Sequence, residues 1–151
     1  MTASPSPPSV LSSNCAAQRG QGMTLKQFER SVATFLEELP EVYARRISNL
    51  SVQVEDIPSP EILAEVGFAD PLELLGYYTG TPLHERGHDS VDLPDIILLF
   101  RKPILAEAHA ADVAVERVIL ETLLHELAHH FGFSEDDMER VEQDWAERHG
   151  C

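Results

Sequence analysis

His125-Glu126-Leu127-Ala128-His129-His130-Phe131-Gly132-Phe133-Ser134-Glu135 closes a run that begins near Asp112 and holds neither Pro nor Gly before Gly132. Residues four apart on an α-helix share a face, about 6 Å apart along the axis, so the imidazoles of His125 and His129 can reach one ion. Zinc takes such nitrogens at about 2.0 to 2.1 Å, and Glu126 stands where a carboxylate can act as the general base for water without ligating. The run predicts a helix with Asp112 as N-cap, continuing to Phe131 and stopped by Gly132. Projected at about 100° per residue, His125, Glu126 and His129 share a sector with Val115, Val118, Ile119 and Thr122, and Arg117 and Glu121 mark a narrow polar sector opposite. The expectation is a mostly buried helix whose histidines point inward.

Catalytic zinc takes three protein ligands, so two histidines need a third donor. Gly132 lets the chain leave the helix and swing back, which makes Glu135 the candidate and Asp136 the alternative. Acids at 135–137 also suit a helix N-terminus with no metal present. His130 projects about 100° from His129, too far round to share the ion, and suits a supporting role. Tyr77, Tyr78 and Arg101 are conceivable hydrogen-bond donors to a transition state, but nothing in the sequence places them at the site.

The H-E-x-x-H pattern occurs twice, although 7 His and 17 Glu in a chain of this length give only about 0.04 chance matches. Context separates the two. In His84-Glu85-Arg86-Gly87-His88, Gly87, the preceding Pro82 and the following Asp89-Ser90 read as a solvated loop, which does not hold two histidines at helical spacing.

Outward from the motif, Ser134 caps a last helix, with Phe133 and Met138 at the positions of a hydrophobic staple. Upstream, Thr24 and Gln27 form a capping-box pattern before Leu25, Phe28, Val32, Phe35, Leu36 and Leu39, an amphipathic helix that ends at Pro40. A short continuation through Tyr43 to Ile47 follows. Leu50, Val52 and Val54 alternate like a half-buried strand, and Ser59-Pro60 caps a short helix to Val66. Leu74 to Thr79 suits a strand or hairpin arm. Ile96 to Phe100, a five-residue apolar run, suits a buried strand.

The chain has 151 residues, 26 acids against 11 bases and a formal net charge of −15. Its length suits one domain with a core of its own. Residues 1–22 hold three Pro and five Ser and no acid, and read as a disordered tail ahead of a domain at 23–151. The acidity argues against nucleic acid and anionic membranes as partners and leaves peptide or protein substrates, neutral or basic, as the expected class. In residues 134–151 seven acids face Arg140 and Arg148, so part of the surplus is local. No apolar run is long enough to span a bilayer. Cys15 and Cys151 cannot build a disulfide framework or a cysteine zinc site, and with no leader pattern the expected location is cytoplasmic.

The segment from His125 to Glu135 resembles the H-E-x-x-H-H-x-G-x-x-(acid) signature of the small bacterial zincin-like metallopeptidases, minimal single-domain relatives in pattern of the metzincins. The similarity extends through Leu39-Pro40, Val52 to Pro58, Leu75-Gly76-Tyr77, Leu93-Pro94-Asp95-Ile96 and Phe100-Arg101-Lys102-Pro103, about 120 residues in all. It implies an α+β fold in which a small mixed sheet packs on the helix bearing the histidines. It also implies a zinc-dependent peptidase with His125, His129 and Glu135 as ligands and Glu126 as general base. Glu135 stands where the pattern more often has Asp, and there is no obvious methionine turn downstream. A non-catalytic zinc-binding module on the same scaffold, a metal-dependent hydrolase of a non-peptide bond and a metal-free helical core are the rival readings.

Overall fold

A computed structural model of the chain describes residues 22–80 and 95–150. Residues 1–21, which hold nearly all of the expected tail, the His84–His88 match and both cysteines lie outside the described residues.

Helix α1 runs Leu25–Glu38 behind a capping box in which Thr24 and Gln27 satisfy each other's backbone amides. Pro40 then turns the chain into the short helix α2, Glu41–Ala44, and a 3-10 turn, Arg45–Ile47. Strand β1 is Leu50–Glu55 and helix α3 is Pro60–Val66, with Ser59 as its N-cap. Strand β2, Gly76–Thr79, and strand β3, Asp95–Phe100, complete a three-stranded sheet in the order β1-β3-β2. β3 pairs parallel to β1 and antiparallel to β2, so the sheet is mixed. Helices α4, Arg101–Ala111, α5, Val115–His130, and α6, Glu135–His149, follow. The architecture is the expected α+β one.

Successive side chains of a strand point to opposite faces, and the central strand β3 is covered on both. Ile97 and Leu99 join the main core with α1, α4, α5 and α6, whereas Leu98 and Phe100 pack with Leu74 and with Ile62, Leu63 and Val66 of α3. That is why Ile96 to Phe100 reads as an unbroken apolar run rather than as an alternating one. The same alternation on β2 sends Tyr78 to the α5 side and Tyr77 to the α3 side. Gly76 makes the contact between β2 and α5 possible: a Cβ there would lie 2.8 Å from Cγ2 of Thr122.

Two expectations need correction. Helix α4 has no counterpart in the sequence reading, and Asp112 is its C-cap rather than the N-cap of α5. Asp112 sits in the left-handed region at φ 54°, where Asp is better tolerated than most residues, and α5 starts behind Ala114 with no side-chain cap. Pro103 does not prevent α4, because in the first turn its missing N–H has no intrahelical acceptor to lose. Among the described residues no helix is long and apolar enough to cross a membrane.

Candidate metal centre

The last two turns of α5 are anchored from one side. Leu120, Leu123, Leu124 and Leu127 recur at helical spacing and are buried. His125 and His129 project from the other side, in line with Thr122 and Val118, which precede His125 by one and two turns. Val118 and Thr122 are buried, but both histidines are exposed. The inward orientation expected from the helical projection is therefore corrected: the sector is right, but the cover ends too early. Strand β2 covers this face through the Gly76–Thr122 contact, and the face emerges into solvent a turn later.

Helical spacing still does what the pattern requires. The rings of His125 and His129 lie side by side, with centroids 4.4 Å apart and planes at 47°. Among the described residues neither ring has a hydrogen-bond partner, so two nitrogen donors face the same space uncommitted. Their spacing and chemistry fit two positions of a zinc shell.

Glu126 is the sheltered member of the motif, with only 13% of its side chain exposed. Its Oε1 lies 3.5 Å from Nε2 of His130. The His130 ring in turn stacks on Tyr78, centroids 3.9 Å apart and planes at 13°. The Tyr78 hydroxyl donates to Oδ1 of Asp95 at 2.8 Å, which ties this stack to the edge of β3. His130 thus supports Glu126 and stands apart from His129, 6.0 Å between centroids. Tyr77 and Arg101 are committed elsewhere. The Tyr77 hydroxyl donates to Glu65, a contact that raises its pKa. Arg101 donates to Asp56 and to the carbonyl of Met23.

Beyond His130 the chain turns at Gly132, whose φ of 71° places it in the left-handed region that ends helices. Ser134 caps α6 in a capping box with Asp137. That accounts for one of the three acids in the first turn as a backbone partner, and the Ser134 amide and Arg46 hold its carboxyl below the usual range. Glu135 and Asp136 are exposed. Among the described residues no three His, Cys, Asp or Glu side chains are grouped to hold a metal ion. The structure brings the two histidines together, with Glu126 beside them, and does not bring Glu135 or Asp136 into that group.

Arg46 and Tyr43 are the residues that the sequence reading missed. Both reach the turn after α5 from the segment before β1. No local pattern relates positions so far apart in the chain.

A cleft of about 200 Å3 opens elsewhere, between α1, the first turns of α5 and the last turns of α6, with Phe35, Glu116, Trp145 and His149 in its wall. Glu116 precedes His125 by nine residues, about 13 Å along the helix, so this cleft is not the metal site. Oε1 of Glu116 is buried with no hydrogen-bond partner, and burial raises the carboxyl's pKa against the pull of its own backbone amide and of His149. A carboxyl whose pKa rises on folding is disfavoured as an anion in the folded state. The penalty is absent below the ordinary glutamate range and grows as pH rises through the raised value. Glu116→Gln is therefore expected to melt at a higher temperature than the parent at pH 7, with the gap closing toward about pH 4. Thermal melts of both proteins across that range check this, and a more stable parent at pH 7 would contradict it.

A family model described as zincin-like metallopeptidase matches residues 47–145, which span the sheet, α3, α4, α5 and most of α6. No curated protein matches the chain. The matched span contains both histidines, Glu126 and the Gly132 turn, on a mixed sheet packed against α5. The chain belongs to the zincin-like metallopeptidase family.

Proposed function

We propose that the protein is a zinc-dependent peptidase in which His125 and His129 hold the metal, Glu135 completes the ligands with Asp136 as the alternative, and Glu126 is the general base. The observation that carries this reading is the pairing of the two exposed imidazoles on one face of α5, with a sheltered carboxylate beside them. The chemistry that zinc supplies when bound is Lewis acidity, which polarises a carbonyl and brings the pKa of water to about 7. Glu126 takes the proton from water as it attacks the scissile carbonyl and hands it to the departing amine nitrogen. His130, held flat against Tyr78, keeps the Glu126 carboxylate turned along the helix surface rather than loose in solvent. Reconstitution with zinc and a peptide library read by mass spectrometry tests the function. Cleavage that disappears on chelation and returns with one equivalent of zinc is the expected result.

A non-catalytic zinc-binding module is the second reading. It is favoured by the position of the 200 Å3 cleft, which lies away from the histidines. Stoichiometric zinc with no cleavage of any peptide would select it.

The substrate class follows from charge. Glu135, Asp136 and Asp137 open α6 directly after the Gly132 turn, and the chain as a whole carries −15. Neutral and basic peptides are therefore expected to be cleaved faster than acidic ones at low ionic strength, with the difference shrinking as salt shortens the Debye length from about 30 Å at 0.01 M toward 8 Å at 0.15 M. Rates for one cleavage sequence flanked by Lys or by Glu, measured at both salt concentrations, check it. Equal rates at low salt would remove the charge argument.

A further inference from the structure

Arg46 lies in the 3-10 turn before β1, yet its hydrogen bonds all fall on the segment that joins α5 to α6 and on the first turn of α6. Its Nη2 donates to the carbonyl of Gly132 at 2.7 Å and, at 3.4 Å, to that of Phe131. Its Nη1 donates to Oδ2 of Asp137 at 3.2 Å. The guanidinium carbon stands 4.6 Å over the ring of Phe133. Phe131 is the C-cap of α5 and Gly132 lies one residue beyond it, so the first two contacts fasten the backbone where the chain leaves the helix. The third holds the carboxylate that caps α6. One planar side chain thus pins both ends of a short span, and between the pinned points lie only Phe133, Ser134, Glu135 and Asp136. Tyr43 also holds Asp137, through a 3.3 Å hydrogen bond from its hydroxyl, and its ring packs on Phe133 with centroids 5.4 Å apart, but it makes no hydrogen bond to the carbonyls of Phe131 or Gly132. At Gly132 the backbone has more freedom than at any other residue type, which makes an external hold on its carbonyl consequential.

We propose that Arg46 is a positioning residue for the metal centre: by fixing the path from Phe131 to Asp137 it sets where the acid that completes the ligands stands relative to His125 and His129. The inference rests on the zinc reading given above. A lysine cannot substitute, because a single ammonium group lacks the fork that spans two carbonyls and a carboxylate at once.

Zinc affinity, measured by competition with a chromophoric chelator on the purified chain, is the readout. Arg46→Ala is expected to weaken zinc binding about 10- to 100-fold, the usual range for a residue that supports a ligand from behind. Arg46→Lys is expected to lose most of the same affinity, and it carries the comparison should the alanine variant fail to fold. In a background of Glu135→Gln with Asp136→Asn, which removes both acids, replacing Arg46 should cost no further affinity. Parent-like affinity in a folded Arg46 variant would overturn the proposal. Equal losses in both backgrounds would also overturn it, since they would mark a general loosening of the fold. If the acid variant with Arg46 intact binds zinc like the parent, the ligand assignment itself fails, and that result is read without touching Arg46.

Discussion

Glu126→Gln is expected to lower kcat by between about 10² and 10⁴-fold while leaving zinc affinity and KM nearly unchanged. The amide has the size and shape of the carboxylate it replaces but cannot accept the proton that water must lose. Glu126 lies beside the paired imidazoles of His125 and His129, with Oε1 next to His130, so on the proposed assignment the change removes no metal donor. The split between kcat and metal binding is the informative feature. Loss of zinc along with activity would make Glu126 a ligand, and unchanged hydrolysis would remove it from the mechanism. Single-turnover rates on zinc-loaded parent and variant, with metal content measured on the same samples, decide the matter.

Leu127→Ala is expected to cost about 2 to 5 kcal/mol of folding stability. Leu127 lies between Glu126 and the second histidine in sequence, but it is fully buried in the main core with Leu120, Leu123 and Leu124. Truncating it forfeits the transfer energy of the removed carbons and leaves a cavity that helices on several sides cannot close. The contrast within the same helix is the half-exposed Arg117–Glu121 pair, 3.3 Å apart, whose removal should cost no more than about 1 kcal/mol. Denaturant unfolding of the two variants compares them directly. A Leu127→Ala cost below that of the surface pair would contradict the packing of α5 against the core.

What could be read in the sequence was what is local. The capping box at Thr24, the cap at Ser134, the stop at Gly132 and the buried run at Ile96 to Phe100 each depend on residues within a few positions of one another, and all stand in the structure. Asp112 shows where such signals become ambiguous. A short side chain that bonds the backbone suits either end of a helix, and here it ends α4 in the left-handed region instead of starting α5. The exposure of His125 and His129 was not legible for a different reason. A helical projection assigns a sector, but not the point along the axis at which the neighbouring strand stops covering it. Arg46 was beyond reach altogether, because its partners lie 85 to 91 positions away. The motif residues themselves were legible, since H-E-x-x-H encodes its geometry in its own spacing. Which acid would complete a metal shell was not, because the path from Gly132 into α6 is held by residues far away in the chain.

The central claim is that the outer face of α5 is a zinc site built on two histidines, and metal content tests it most directly. Elemental analysis of the chain after zinc loading and exhaustive dialysis should give one zinc per molecule for the parent, and close to none for a folded His125→Ala, His129→Ala double variant. No zinc on the parent, or the same content on both proteins, would contradict the account.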